Sequence, residues 1–258
     1  MTPPSAIKRS PPKKDRGHEA PPAVLVTGAS GGIGRAVSLA FGKIGWYVGV
    51  HYGRNHAAAE STLRQVIKAG GTGDLYQADI RDSDAVQRMV DAWCRRASRP
   101  SAFVCSTGIG PSSLVVRQRE NEWAEVMATN LTGTFFCLRA AAPILISRGG
   151  GSIIVVGSHT GFHGAEGQAA YATSKAGLIG LIKTAAQEWG PENVRVNLVL
   201  PGWQKTHLTA GIFPKGAGWL DHALRRPPAI EESAGTIVYL AQLKDVSGQI
   251  WSCDSRNL

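Results

Sequence analysis

Three features of the 258-residue sequence predict a single α/β domain built on a doubly wound, seven-stranded parallel sheet. Short β-rich runs alternate with longer, helix-patterned segments from Ala23 onward. A glycine-dense turn, Thr27 to Gly34, directly follows the first run and opens the first helical segment. After residue 22 no linker-like stretch and no repeat of solenoid length breaks the pattern. Strand, helix and strand repeated along a chain place crossover helices over the faces of one parallel sheet.

The expected strands, in order, are AVLVT (23–27), WYVGVH (46–51), DLYQA (74–78), AFVCS (102–106), SIIVVG (152–157), VRVNLVL (194–200) and GQIWSC (248–253). Ile33, Val37, Ala40, Phe41 and Ile44 recur at helical spacing after the first of them, and Leu178, Leu181, Ile182, Ala185 and Trp189 do so before the sixth. Asp82 stands ahead of the periodic Val86, Met89 and Val90 and is the expected cap of that helix. Sheets of this kind take ligands beyond the carboxyl ends of their strands, where the winding direction reverses. Chemistry is therefore sought in the residues that follow each strand.

With 43% apolar and 18% charged residues, the composition is globular, not disordered. A chain of this length can hide roughly three quarters of the surface its unfolded form exposes. Cys94, Cys105, Cys137 and Cys253 form no C-x-x-C pair, so neither a disulfide framework nor a metal site is indicated, and a cytoplasmic location is expected. No apolar run approaches the roughly 18 residues that cross a bilayer, and no secretory signal is evident. Residues 1–22 hold six of the fourteen prolines and five Lys or Arg against two acidic residues, so +3 of the net +9 charge sits there. This segment reads as a flexible, basic, Pro-rich tail ahead of a catalytic domain at 23–258. The remaining positive charge is spread without a dense block, which suits an anionic ligand better than nucleic acid.

Thr27-Gly28-Ala29-Ser30-Gly31-Gly32-Ile33-Gly34 reads as the phosphate-cradling turn of a Rossmann-type dinucleotide site. Glycines allow positive φ and close approach of a diphosphate, while the helix start offers unpaired N–H groups. After the second strand, His51-Tyr52-Gly53-Arg54-Asn55 has no carboxylate to hold the ribose hydroxyls of NAD(H). Arg54 can pair with a 2′-phosphate, so NADP(H) is favoured over NAD(H), with a solvated loop arginine as the plain alternative. Asp79, after the third strand, either hydrogen-bonds the adenine amino group or caps a helix.

Ser158 stands just past the fifth strand, Tyr171 thirteen residues on, and Lys175 one helical turn beyond. The i and i+4 spacing puts Tyr171 and Lys175 on one helix face, where an ammonium is expected to pull a phenol below its ordinary pKa of about 10. Tyr171 would give a proton to a carbonyl oxygen as hydride arrives, and Ser158 would fix that same oxygen. Lys175 would also hold the nicotinamide ribose.

In order and spacing, the glycine turn, Asn130 in NLTG, Ser158, Tyr171-Ala-Thr-Ser-Lys175 and Pro201-Gly202 resemble the short-chain dehydrogenases/reductases, over essentially residues 23–254. YATSKAGLIGL (171–181) and NVRVNLVLPG (193–202) make the chain most similar to the 3-oxoacyl-acyl-carrier-protein reductases of that family. The resemblance implies a catalytic tetrad of Asn130, Ser158, Tyr171 and Lys175, with Asn130 holding a water beside Lys175 for proton relay. It implies cofactor contacts from Gly28, Ser30, Gly32, Ile33, Gly34, Arg54, Asp79, Ile80, Gly108, Tyr171, Lys175, Pro201, Gly202 and Thr206, the last at the nicotinamide end. It further implies a small carbonyl or acyl-thioester substrate, an acyl-carrier protein as partner, and a homotetramer built on the helices that carry Asn130 and Tyr171. The face along Leu178, Leu181 and Ile182 suits either core packing or subunit contact.

Two segments depart from the family pattern. Cys105-Ser106-Thr107-Gly108 replaces the usual Asn-Asn-Ala-Gly, whose asparagines tie neighbouring strands, and Ser106 or Thr107 can substitute through hydroxyl bonds. Asp254-Ser255-Arg256 replaces a common Asp-Gly-Gly. Substrate choice is expected from Trp203 to Pro228, which contains Lys205, His207, Phe213, Trp219, Arg225 and Arg226, while His159 and His163 lie beside Ser158. The resulting expectation is an NADPH-dependent carbonyl reductase. Oxidation of a secondary alcohol by the same residues, and a cofactor-binding sensor or scaffold without turnover, are the competing readings.

Overall fold

The computed structural model describes residues 20–211, 213, 219 and 221–256; the expected tail therefore lies outside the described residues up to position 19. From there the chain runs β1 (Ala23–Thr27), α1 (Gly32–Lys43), β2 (Tyr47–Tyr52), α2 (His56–Lys68), β3 (Thr72–Gln77), α3 (Ser83–Arg96), β4 (Pro100–Cys105), α4 (Glu120–Met127), α5 (Gly133–Ser147), β5 (Gly151–Val156), α6 (Thr160–His163), α7 (Ala169–Trp189), β6 (Val194–Leu200), α8 (Ile230–Gln242) and β7 (Ile250–Ser252). The seven strands form one sheet in the order β3-β2-β1-β4-β5-β6-β7, every pair parallel. The winding reverses between β1 and β4, so a cleft opens past the carboxyl ends of those two strands.

Period-two burial divides the sheet between two cores. Ala23 and Leu25 of β1 face a core with α3, α5 and α7, while Val24 and Val26 face one with α1, α2 and α8. The first core is centred on Trp93, fully buried and edge-to-face with Phe103 at 6.3 Å. β1 and β6 match the expected strands residue for residue. β3 begins two residues early because Thr72 pairs with Tyr47 across β2, and β7 is shorter than expected. Leu178 and Ile182 are buried within the chain, and Leu181 packs against the same core, so this face of α7 serves core packing.

Asp82 caps α3 as expected, accepting from the Asp84 and Ala85 amides at 2.9 and 3.1 Å. Between α4 and α5 the sequence Ala128–Thr132 forms a π turn, which places Asn130 in the interior, fully buried. The continuous helical run Glu120–Ser147 is long and apolar enough to cross a bilayer by composition, contrary to the expectation that no segment qualifies. Over half of its most apolar stretch is buried inside the protein, as in a core helix.

Candidate active site

The glycine turn joins β1 to α1 at the cleft. Gly28 has φ of +67°, and Gly34 is packed so tightly that a Cβ there would collide with the Gly28 carbonyl and lie 2.5 Å from Ser106 Oγ. Gly31 caps α1 with no side-chain bond, and the first turn carries no acidic residue, so the leading N–H groups face the cleft without a protein acceptor competing at the cap. Beneath the turn lies a residue to which the sequence reading assigned no role. The buried His51 ring accepts the Gly28 N–H at Nδ1 (3.0 Å) and donates from Nε2 to the Ala78 carbonyl (3.1 Å). Burial holds its pKa down at about 4, so the imidazole is neutral and the tautomer follows from its two partners.

Ser106 restores the strand tie that the family's asparagines provide. Its Oγ donates to the Thr27 carbonyl at 2.5 Å and its N–H donates to Thr27 Oγ1 at 3.1 Å. Thr107 Oγ1 is buried against Gly28 and has no hydrogen-bond partner among the described residues. Cys105 is buried in contact with Cys137, and burial keeps its thiol well above its usual range, so it remains protonated.

Gly28, Ser30, Gly32, Ile33, Arg54, Asp79, Ile80, Gly108 and Thr206 line a cleft of about 820 Å³. Arg54 is exposed at its rim. Asp79 does not cap α3; its carboxylate accepts Arg81 Nε at 3.0 Å and Nη2 at 2.6 Å, and this hydrogen bonding holds it down at about 2. An adenine amino group at Asp79 would share the carboxylate with Arg81, which also reaches Glu125 at 3.5 Å. Nothing in the spacing of the sequence pointed to Arg81. Thr206 lies over the turn, since a Cβ on Gly32 would sit 3.3 Å from its Cγ2. Pro201 and Gly202 flank the cleft without lining it, and the Pro201 carbonyl accepts from Gln204 at 2.6 Å.

Gly108 connects the cleft to the reactive side chains: a Cβ there would lie 3.5 Å from Asn130 Oδ1 and 3.6 Å from Lys175 Nζ. Asn130 clamps the Ile109 backbone, accepting its N–H at 2.9 Å and donating to its carbonyl at 2.8 Å, and also donates to Ser174 Oγ at 3.0 Å. Both N–H groups of the amide are thus engaged by the protein. Ser158 Oγ accepts the Thr160 N–H at 3.2 Å, and its hydroxyl lies near enough to that of Tyr171 to oppose the effect of burial on the phenol. Gly110 packs on the Tyr171 ring, leaving 2.9 Å between a built Cβ and Cδ2.

Lys175 Nζ lies 5.7 Å from the Tyr171 ring centre and donates to the Val156 carbonyl at 2.8 Å. The expected downward pull on the phenol is not found. Burial raises Tyr171, and the Ser158 hydrogen bond only partly opposes it. Burial likewise lowers Lys175 to about 8, because its nearest acceptor is a neutral carbonyl and not a carboxylate. Of the two histidines near Ser158, His159 is buried and turned toward Ser252, while His163 is exposed.

Residues present here fit a dinucleotide: an uncapped helix start, a turn that excludes Cβ atoms at Gly34, and an orphaned hydroxyl at Thr107 aimed into the same region. The chain belongs to the short-chain dehydrogenase family, whose profile, described as short chain dehydrogenase, matches residues 22–216. It is accordingly an NAD(P)-dependent oxidoreductase. A 3-oxoacyl-[acyl-carrier-protein] reductase of Synechocystis sp. is 35% identical over 233 residues, covering 89% of this chain and 94% of that protein. The 3-oxoacyl-[acyl-carrier-protein] reductase FabG of Staphylococcus aureus is 36% identical over 229 residues, covering 87% and 93%. Among solved structures, a short-chain type dehydrogenase/reductase from Mycobacterium marinum aligns with a TM-score of 0.85 at 30% identity over 92% of this chain and 95% of that one. A dehydrogenase/reductase from Sinorhizobium meliloti 1021 aligns at 0.83 with 29% identity over 91% and 94%.

Proposed function

We propose that this chain reduces the ketone of a 3-oxoacyl thioester with NADP(H), Tyr171 acting as general acid. The observation that carries the reading is the neighbouring Ser158 and Tyr171 hydroxyls beside a buried Lys175, next to a cleft with Arg54 at its rim. Likeness to the two acyl-carrier-protein reductases over most of the chain supports the thioester as substrate.

When bound, the nicotinamide supplies the hydride. The start of α1 would hold the diphosphate, Arg54 the 2′-phosphate, Asp79 and Ile80 the adenine, and Lys175 the nicotinamide ribose. Ser158 Oγ and Tyr171 Oη each donate a hydrogen bond to the ketone oxygen, where negative charge develops as the carbon is reduced, and Tyr171 Oη passes its proton to that oxygen. The burial that raises Tyr171 keeps the phenol protonated at neutral pH, the form a general acid requires. Asn130 would hold the relay water through the second lone pair of its Oδ1, which lies with Lys175 Nζ around Gly108. An acyl-carrier protein delivering the thioester, a homotetrameric assembly and a cytoplasmic location belong to the same reading.

The test is NADPH consumption over a panel of 3-oxoacyl thioesters and simple ketones by the wild type and Tyr171→Phe. The variant should lose turnover by about 10²-fold or more while binding NADPH unchanged, and Arg54→Ala should weaken NADPH but not NADH. Tight NADPH binding with no oxidation of it across the panel would replace the reductase with a cofactor-binding scaffold.

A further inference from the structure

Two histidines from distant parts of the chain and the neighbouring Arg256 converge on one buried carboxylate, that of Asp254. His222 Nε2, from the 203–228 segment, lies 3.4 Å from Asp254 Oδ1 and has no hydrogen-bond partner among the described residues. His159 Nε2, one residue past Ser158, lies 4.0 Å from Oδ2 and donates to Ser252 Oγ at 2.9 Å, whose hydroxyl in turn reaches the Asp254 carbonyl. Arg256 forks onto Oδ2 at 2.5 and 3.0 Å. The side chains of Asp254 and His222 are fully buried. The Asp254 carboxylate also fills the space over Gly202, whose φ is +71° and where any Cβ would collide with it.

A buried carboxylate persists only where opposite charge and hydrogen-bond donors surround it, and removing it strands every group that faces it. Here those groups lead to the parts of the site that must move together. His222 stacks edge-to-face on Trp219 (5.0 Å), Trp219 on Phe213 (5.4 Å) and Phe213 on Trp203 (6.3 Å), so one imidazole anchors a row of aromatic rings through the segment expected to choose the substrate. His159 continues the turn that carries Ser158, and Gly202 follows Pro201 beside the cleft.

We propose that Asp254 is a positioning residue of the substrate side, its single carboxylate fastening Trp203, Phe213 and Trp219 through His222 and the Ser158 turn through His159. The two arms have different consequences: loss of the His222 arm loosens substrate binding, whereas loss of the carboxylate loosens binding and also displaces Ser158. The kinetic half of this proposal rests on the reductase reading; the exchange half does not.

The experiment compares wild type with His222→Ala, Asp254→Asn, Asp254→Ala and the double variant His222→Ala/Asp254→Ala. It uses hydrogen exchange of residues 203–211 and 221–226, NADPH binding, and KM and kcat for a 3-oxoacyl thioester. His222→Ala should raise KM and the exchange rate of these residues about tenfold, because the 3.4 Å approach of the imidazole to the buried carboxylate and its stacking on Trp219 are lost together, with kcat nearly unchanged. Asp254→Ala should raise KM and lower kcat together, Asp254→Asn should recover part of the loss, and the double variant should be no worse than Asp254→Ala alone. Additive losses, or unchanged exchange in a folded Asp254 variant, would overturn the proposal. If Asp254→Ala does not fold, His222→Ala with Asp254→Asn forms the same cycle. Absence of thioester turnover in the wild type would remove the reductase reading and leave the exchange cycle to decide the Asp254 one.

Discussion

His51 offers a way to test how the glycine turn is held. The neutral imidazole accepts the Gly28 N–H and donates to Ala78, and its burial lowers the pKa from 6.5 to about 4. In the unfolded chain the ring takes up a proton as pH falls through 6.5, whereas in the folded chain it resists until about 4. Stability from this group is therefore complete above pH 6.5 and is lost as pH falls toward 4, by roughly 3 kcal/mol. Asp79, held down at about 2, loses its own contribution only below the ordinary carboxylate range, outside that window. Replacing His51 with Asn keeps an acceptor for Gly28 and removes the titration. Urea unfolding at pH 7, 5.5 and 4 should show the wild type falling about 3 kcal/mol further than His51→Asn across the series. His51→Ala, which strands the Gly28 donor, should lose about 1–3 kcal/mol at every pH and bind NADPH more weakly. Parallel pH profiles for wild type and His51→Asn would refute the buried, neutral imidazole beneath the turn.

Lys175, lowered to about 8 by burial, carries its charge below that pH at a cost of roughly 3 kcal/mol relative to an exposed lysine. Lys175→Met, which also forfeits the Val156 bond at a cost of about 1 kcal/mol, should therefore be about 2 kcal/mol more stable than wild type at pH 7 and about 1 kcal/mol less stable by pH 10.5, where the titration gain is gone, and should be inactive; chemical denaturation at stepped pH checks it. Gly34→Ala forces a methyl against the Gly28 carbonyl and Ser106 Oγ and should cost about 1–3 kcal/mol together with most of the NADPH affinity, read by fluorescence titration.

What sequence reasoning recovered was whatever local periodicity controls. The apolar run Ala23–Thr27 ahead of the glycine turn located β1, the Asp82 cap follows from its place before Val86, and the spacing from Ser158 to Tyr171 to Lys175 identified side chains that come together. What escaped it depends on strand register and on chain ends meeting in space. His51 reaches Gly28 because β2 lies beside β1, and His159, His222 and Asp254 meet although nearly a hundred residues separate the first from the last. The sign of the perturbation at Tyr171 was missed for a related reason. Helical spacing says that Lys175 shares a face with Tyr171, but the ammonium is claimed by a carbonyl from β5, a partner that no spacing within α7 reveals.

That claim shapes the chemistry proposed for the site. A lysine aimed squarely at the phenol would favour phenolate and prepare Tyr171 as a base, the form suited to taking a proton from an alcohol. With Lys175 tied to Val156 and Tyr171 raised by burial, the resting phenol holds its proton, and Ser158 adds a second donor at the same point. Lys175 is the more easily emptied of the two, since its proton leaves near pH 8 while the phenol's stays above its ordinary range. Rising pH would thus first remove the positive charge that assists proton return and only later the acid itself. A site ordered this way holds its acid protonated at neutral pH, the state from which a carbonyl oxygen would receive a proton.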